Sequence, residues 1–255
     1  MPIKFFHRLS SNRRSRKTNI QLGAYLAFLA GAVNAGGFLA ISRYTSHMSG
    51  IISGIGDDLA LRDLAAVLGA LTLLIAFIAG AATTAVLVNW GQRRKIQSEF
   101  ALPLLVEAAL LLIFGVVGAN LNLYLHLTMP AIALLLCFVM GLQNAIMTKA
   151  SGAEIRTTHM TGVVTDIGIE LGKLFYWNRS TEANARGTVM ANRIKLKTHL
   201  LIFSAFFSGA IVGAVSFKEL GYQFVIPLSL SLVVIAASHI YKDIRLILKQ
   251  HALHN

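Results

Sequence analysis

The chain has 255 residues, of which 55% are hydrophobic and 13% are charged, and its mean hydropathy is +0.65. A soluble domain carries about 25% charged residues, so this composition excludes an ordinary soluble enzyme and indicates an integral membrane protein. The single cysteine, Cys137, lies in an apolar run and excludes a disulfide framework.

Six apolar runs are long enough to cross a bilayer core of about 30 Å as helices, which takes roughly 20 residues each. The first run follows a basic arm, but it exceeds the roughly 7–15 apolar residues of a signal peptide, so we expect it to remain as an anchor. The runs predict an all-α polytopic membrane protein with six transmembrane helices. In chain order they cover residues 20–41, 64–88, 101–119, 130–148, 198–215 and 222–240.

The basic residues lie almost entirely in the segments that six spans leave on one side. With the N-terminus inside, 20 of the 23 Lys and Arg residues are cytoplasmic, and the exceptions are Arg43, Arg62 and Lys218. Basic residues stay on the cytoplasmic side, so the arm at 1–19 and the tail at 242–255 are both predicted there. The net charge of +12 is then explained by topology and by contact with anionic membrane lipids, without a nucleic-acid partner.

The most informative feature is an internal repeat of 15 residues. Residues 45–59 read TSHMSGIISGIGDDL and residues 157–171 read TTHMTGVVTDIGIEL, with seven identical positions and six conservative ones. Chance does not plausibly produce this match, and similarity extends outward on both sides. The outer matched pairs are Gly31/Gly141, Asn34/Asn144, Ala76/Ala205, Gly80/Gly209 and Pro103/Pro227.

Each half holds three spans and one copy of the motif, at residues 20–119 and 130–241. An odd number of spans makes the second half enter from the opposite face, so the repeats are predicted to be inverted, as in many transporters. The motif segment 48–60 is about 20 Å long as a helix, too short to cross, and is predicted to be a re-entrant or interfacial half-helix. The alternative is a parallel eight-span topology in which both copies cross. It would put the basic cluster at 93–95 outside, against the charge rule.

The two motif copies, each an Asn-Ala pair followed by Thr-x-His-Met-Ser/Thr-Gly, are similar to the YoaK family of small bacterial inner-membrane proteins, a domain of unknown function. The resemblance covers about residues 20–240. It implies a location in the bacterial inner membrane and about six spans, and it supplies neither a substrate nor a reaction. The chain departs from the family pattern at Asn34, where that pattern has Asp, and at His47 and Ile51, where it has Asn.

The polar groups of the motif predict a binding site where the two copies converge. Hydroxyls just before each helical run, those of Thr45 and Thr157, can cap its free N–H groups, and such a helix start can hold an anion. One alternative is a packing device that joins the halves through Gly50 and Gly162. Another is a metal site, but two histidines without a tetrahedral set are too few, and no metal is predicted. The predicted site residues are Asn34, Arg43, Thr45, His47, Gly50, Asn144, Arg156, Thr157, His159 and Gly162.

Four acidic residues are candidates for coupling transport to a cation or a proton. Glu107 lies inside the third apolar run, where an ionisable group is costly and is by default functional; its alternative is a hydrogen-bonded carboxyl between helices. Asp58 and Glu170 are matched across the repeat, and Asp166 precedes Glu170 by one helical turn. These three either line a wet vestibule or form the solvated end of an amphipathic helix.

The sequence contains no Walker loop, dinucleotide fingerprint, nucleophile elbow or zinc-protease motif, so neither an enzyme activity nor a cofactor is predicted. The cytoplasmic loop at 176–197 is too short for a catalytic domain. We expect a small transporter or channel-like permease for a small solute, with an anion as one candidate, because repeat-related broken segments commonly build midplane sites. The rival is a non-transporting membrane protein that organises a partner or lipid and uses the motif for packing. Homo-oligomerisation is left open.

Overall fold

A computed structural model describes residues 16–42, 44–94, 98–120, 125–177 and 189–237, and every regular element in these ranges is helical. The predicted tail and most of the predicted arm lie outside the described residues, as do residues 178–188 of the loop and the candidate site residue Arg43.

Eight helices follow one another along the described chain, and the first five apolar runs fall within helices, while the sixth covers the 3₁₀ turn and the described part of the last helix. Their bounds extend beyond the runs because polar residues at helix ends continue the backbone hydrogen bonds. The helices are α1 Arg16–Ile41, α2 Met48–Ala60, α3 Leu64–Arg93, α4 Ala101–Ala119, α5 Leu125–Ser151, α6 Met160–Phe175, α7 Arg193–Leu220 and, after a 3₁₀ turn at Gly221–Phe224, α8 at 225–237.

Five described stretches are long and apolar enough to cross a membrane. Four of them are α1, α3, α4 and most of α5, and the fifth is the 45-residue stretch Arg193–Ala237, which contains both α7 and α8. A straight helix of that length would measure about 68 Å, more than twice a bilayer core. Gly221 interrupts it with φ +61, a left-handed conformation that glycine adopts without a steric penalty. The chain is therefore an all-helical, multi-pass integral membrane protein.

Two close helix crossings hold the halves together, α1 on α7 and α3 on α5. In the first, a Cβ added to Gly31 would overlap the carbonyl oxygen of Phe206, and one added to Gly209 would overlap that of Phe28. Small residues let the two backbones approach closely. In a membrane, where burial of apolar surface from water cannot drive association, this close packing stabilises the helix pair. The second crossing has the same construction, with Gly80 against the carbonyl of Phe138 and Gly141 against that of Phe77.

The centre of the bundle is the contact between α1 and α5, where polar side chains bond to backbone carbonyls of other helices. Gln143 Nε2 donates to the carbonyl oxygen of Leu26 at 3.1 Å, and Thr84 Oγ1 donates to that of Leu142 at 2.9 Å. Such bonds satisfy polar groups that would otherwise be stranded in an apolar interior.

The two short helices α2 and α6 begin at a distance from the ends of the preceding long helices. Ser46 bonds to Asn34, which lies seven residues before the end of α1, so the chain has turned back by about 10 Å before α2 starts. The second half repeats this, because Thr158 bonds to Asn144, also seven residues before the end of α5. From these starting points α2 packs on α3 and α6 packs on α7. Whether the half-helices are re-entrant or interfacial stays a prediction.

Candidate functional site

Each short helix begins at the histidine of its motif. His47 precedes α2 with φ −91 and ψ 68, and His159 precedes α6 with φ −81 and ψ 59, so the two copies share one backbone conformation. Neither histidine side chain makes a capping hydrogen bond. The predicted capping by the preceding hydroxyls is wrong, because Thr157 Oγ1 donates to Asn144 Oδ1 and Thr45 Oγ1 has no hydrogen-bond partner within the described part of the chain.

The asparagine and hydroxyl pairs fix the return of the chain in both halves. Asn34 Nδ2 lies 2.6 Å from Ser46 Oγ, and Asn144 Nδ2 lies 2.6 Å from Thr158 Oγ1. In the second half the amide oxygen of Asn144 also accepts from Thr158 at 2.9 Å and from Thr157 at 3.3 Å.

The first half leaves the same arrangement incomplete. Asn34 Oδ1 and Thr45 Oγ1 are buried and have no hydrogen-bond partner within the described part of the chain. Buried polar atoms are seldom unpaired in native structures, because each costs about 1–3 kcal/mol. The first copy of the motif therefore has hydrogen-bonding capacity that the second copy has already used.

The glycines of the motif make room for their own histidines. A Cβ on Gly50 would lie 2.6 Å from His47 Nδ1, and a Cβ on Gly162 would lie 2.5 Å from His159 Nδ1. The three atoms nearest to each added Cβ all belong to the histidine, whereas the close helix crossings lie at glycines of the long helices. The alternative in which Gly50 and Gly162 join the two halves by packing stays a prediction.

The two motif copies meet at two adjoining cavities of about 500 and 540 Å³, here called the central cavities. Both cavities are lined by residues from both halves, so the predicted convergence of the two copies agrees with the geometry. No Asp or Glu is among the described residues that line either cavity, and Arg156 lines the larger one. The residues common to both linings are Ser46, His47, Thr158, Met160 and Thr161.

Each histidine also borders a second cavity on its own side. His47 lines a cavity of about 360 Å³ with Gly50, Gly54 and Asp58, here called the first-half vestibule. His159 lines a cavity of about 400 Å³, here called the second-half vestibule, together with Arg156, Gly162, Asp166 and His199. Each imidazole therefore contributes to the lining of a central cavity and of a vestibule.

Of the four candidate coupling acids, the structure brings Asp58 and Asp166 to the vestibules. Glu170 is covered: its carboxylate accepts from Lys173 Nζ at 2.9 Å and from the backbone N–H of Asn192 at 2.6 Å. The Lys173 bond, followed by the Asn192 bond, lowers the pKa of Glu170, and a bond from Lys195 lowers that of Asp166. Both acids thus tie α6 to its surroundings as carboxylates.

Glu107 lies apart from the motif and lines none of the cavities described above. It is buried in α4 at 1% exposure, and its Oε2 has no hydrogen-bond partner within the described part of the chain. Tyr25 of α1 lies within electrostatic range of it, and the Tyr25 hydroxyl bonds to Ser231 Oγ at 2.5 Å. A coupling role for Glu107 stays a prediction.

Sequence reasoning missed His199 and Lys195, which lie within or next to an apolar run and outside the repeated motif. Lys195 Nζ is 2.9 Å from Asp166 Oδ1, and His199 Nε2 is 3.6 Å from Asp166 Oδ2. Their spacing of four residues on one face of a helix was the available signal, since it aims both toward the same neighbour. No group of three His, Cys, Asp or Glu side chains suited to a metal ion occurs among the described residues.

Comparison with known proteins adds the family. Residues 22–238 match the model of a family described as protein of unknown function (DUF1275). The chain is 25% identical over 167 residues to the UPF0700 transmembrane protein YoaK of Bacillus subtilis (strain 168), an alignment that covers 65% of this chain and 72% of that protein. No solved structure gives a significant match. With most of its length covered by the family model, the chain belongs to the YoaK family of transmembrane proteins (DUF1275).

Proposed function

We propose that this protein is a small transporter or channel-like permease of the bacterial inner membrane that carries a small anion through the central cavities. The proposal includes six spans in two inverted repeats, with both termini in the cytoplasm. It includes no enzymatic step and no cofactor.

The six-span topology is supported by the break at Gly221, which divides the last apolar stretch into two helices. With α7 and α8 as separate spans, the loop after α3 and the tail after α8 fall on the same side as the N-terminus. The division of basic residues, 20 against three, favours that side as the cytoplasm.

The repeats are supported by contacts that occur in matched pairs. The sequence alignment pairs α1 with α5 and α3 with α7, so a two-fold relation predicts that the crossing of α1 on α7 reappears as α5 on α3. The glycines of both crossings are aligned partners, Gly31 with Gly141 and Gly209 with Gly80. An inverted relation between halves of three spans each follows from this pairing and the odd number of spans.

The observation that carries the function is the meeting of two half-helix N-termini at the shared cavities. Each helix start carries a partial positive charge and free N–H groups, so two of them facing one space favour an anion and disfavour a cation. The described lining adds His47, His159 and Arg156 and contributes no acid. Asn34 and Asn144 each lie seven residues, about 10 Å, before the C-terminal end of their long helix. If these two ends lie at opposite faces of a core of about 30 Å, as the inverted repeat requires, both half-helices start near the midplane, where transporters bind their substrates.

The test is solute flux into liposomes that contain the purified protein. Potassium nitrate, formate, chloride and phosphate are applied in turn with valinomycin to balance charge, and glycerol serves as the neutral solute. We expect at least one anion to enter faster than into empty liposomes, and choline, a cation, to enter no faster. The variant His47→Gln should slow anion entry, because it removes an ionisable ring from the central lining.

A protein that melts as a folded species and yet passes none of these solutes would support the rival role, a non-transporting protein that organises a lipid or partner. Faster entry of choline than of any anion would contradict the electrostatic basis of the proposal.

A further inference from the structure

The second-half vestibule contains a cluster of ionisable side chains that the proposed function does not use. Arg156 and His159 lie at the start of α6, Asp166 lies one and a half turns along it, and His199 reaches in from α7. His199 is nine-tenths buried, and its Nδ1 has no hydrogen-bond partner within the described part of the chain. Because His199 is one of the residues that line this cavity of about 400 Å³, and buried polar atoms are seldom left unpaired, its free nitrogen favours a ligand bound beside it.

The charged side chains at the vestibule and their ion-pair partners carry a net positive charge. Two acids line it, and each has a basic partner: Glu154 pairs with Arg16 at 2.5 Å, and Asp166 pairs with Lys195 at 2.9 Å. Arg156 has no ion-pair partner among the described residues, although it lines both this vestibule and a central cavity. An uncompensated guanidinium beside an uncapped helix start is an attractive position for an anion.

The repeat provides an internal comparison, because the first half has the same backbone without the charges. The positions that align with Arg156, Asp166, Lys195 and His199 hold uncharged residues, so folding of the half-helix on its partner does not require the cluster. The counterparts are Tyr44, Gly54, Ala66 and Ala70. The charged cluster is therefore present in the second half alone and is not part of what the two repeats share.

We infer that the second-half vestibule is an anion-binding site in which Arg156 and His199 hold a small oxyanion or carboxylate next to the central cavities. The inference rests on the proposed function in that it names the class of substrate and the side chains that bind it before passage. Arg156 supplies the charge and two parallel N–H donors that match the spacing of carboxylate or nitrate oxygens. His199 supplies a further polar contact from the opposite wall.

The experiment measures binding of nitrate and of formate to the full-length protein in detergent by thermal melting, at constant ionic strength with gluconate as the replacing anion. The variants Arg156→Gln and His199→Gln are compared with Arg156→Lys, which keeps the charge, and with Lys197→Gln. Lys197 is exposed on α7, and the described ion pairs and the vestibule lining do not include it.

We expect Arg156→Gln to weaken binding by about tenfold or more, because a hydrogen bond to a charged group is lost. His199→Gln should weaken it less, and Arg156→Lys should bind more weakly than wild type but more tightly than Arg156→Gln, because lysine keeps the charge and lacks the paired donors. Lys197→Gln should bind as wild type within about threefold. The inference is overturned if neither anion binds, if Arg156→Gln binds as wild type, or if Lys197→Gln weakens binding as much as Arg156→Gln does.

Flux into liposomes separates this inference from the proposed function. Anion flux that persists in a protein whose binding is insensitive to Arg156→Gln rejects the vestibule site and leaves transport standing. Binding that depends on Arg156 in a protein without any flux rejects transport and leaves the vestibule site standing.

Discussion

At the scale of single residues, the pairing of histidine with glycine explains why the motif needs both. The first turn of each short helix would normally point a side chain at the space that the imidazole occupies, and glycine leaves that space open. The ring is thereby held over the helix start, between a central cavity and a vestibule. The motif thus positions a polar ring where it lines both a central cavity and a vestibule.

This arrangement predicts the effect of adding a methyl group. Gly162→Ala should displace the His159 ring and slow anion flux, because the new Cβ would lie 2.5 Å from Nδ1. The matched control is Gly168→Ala on the same helix, where the added Cβ meets no atom within 4 Å. The control should keep wild-type flux and gain about 0.5–1 kcal/mol of folding stability from reduced backbone freedom.

Flux and melting temperature are measured for both variants. If Gly162→Ala is folded and its anion flux equals that of the wild type, the position of the His159 ring does not affect anion passage.

At the scale of helices, the two short helices differ in how firmly they are attached. The α6 helix is fixed by Lys195 on Asp166 and by Asn192 on Glu170, whereas α2 has no buried residue and no described ion pair to its neighbours. At the start of the next helix both halves use the same cap, Asp63 on the N–H of Ala66 and Asn192 on that of Lys195. The difference therefore lies in the short helices themselves.

We expect acid to release α6 before α2. The pKa values of Asp166 and Glu170 lie below their ordinary values of 3.8 and 4.5, chiefly because of the bonds from Lys195 and Lys173. A lowered pKa means that the stabilisation is complete above the ordinary value and is lost as the pH falls through the lowered one. Hydrogen exchange along α6 should therefore accelerate below about pH 4, while exchange along α2 changes less.

At neutral pH, Lys195→Met should raise exchange in α6 by at most about fivefold, since a partly exposed ion pair contributes roughly 1 kcal/mol or less. The reciprocal change, Gly54→Asp with Ala66→Lys, builds the missing pair in the first half and should slow exchange in α2. Equal acid sensitivity of α2 and α6 would exclude a specific role for these ion pairs.

At the scale of the whole molecule, the apolar runs predicted a helical chain that crosses the membrane several times, because a bilayer leaves few alternatives to helices of about 20 residues. The short helix at Met48–Ala60 begins and ends at the predicted residues, since the motif has polar residues before it and a turn after it. Pairing of the long helices could not be predicted, because glycines such as Gly31 identify a contact surface without its partner.

The candidate site was predicted in part. The convergence of His47 and His159 follows from the repeat, whereas the vestibule residues His199 and Lys195 come from outside the motif and are joined to it only by helix packing. Hydroxyl capping was the wrong expectation in the second half because Asn144, thirteen residues earlier, accepts from the hydroxyl of Thr157, and in the first half the hydroxyl of Thr45 is buried without a partner within the described residues.

The topology of the whole chain gives the last prediction, which rests on the distribution of charge and on the break at Gly221. Single cysteines are introduced at Gln92, after the apolar part of α3, and at Glu219, near the end of α7, in a Cys137→Ala background. Cys137 is buried and its replacement by alanine removes the only native thiol. In intact cells an impermeant maleimide should label Glu219→Cys and leave Gln92→Cys unlabelled until the membrane is opened. Both α7 and α8 then cross, because the label at position 219 lies outside while the basic residues before α7 and after α8 lie inside. Labelling of Gln92→Cys in intact cells would instead require the short helices to cross as well, and the two halves would be parallel rather than inverted.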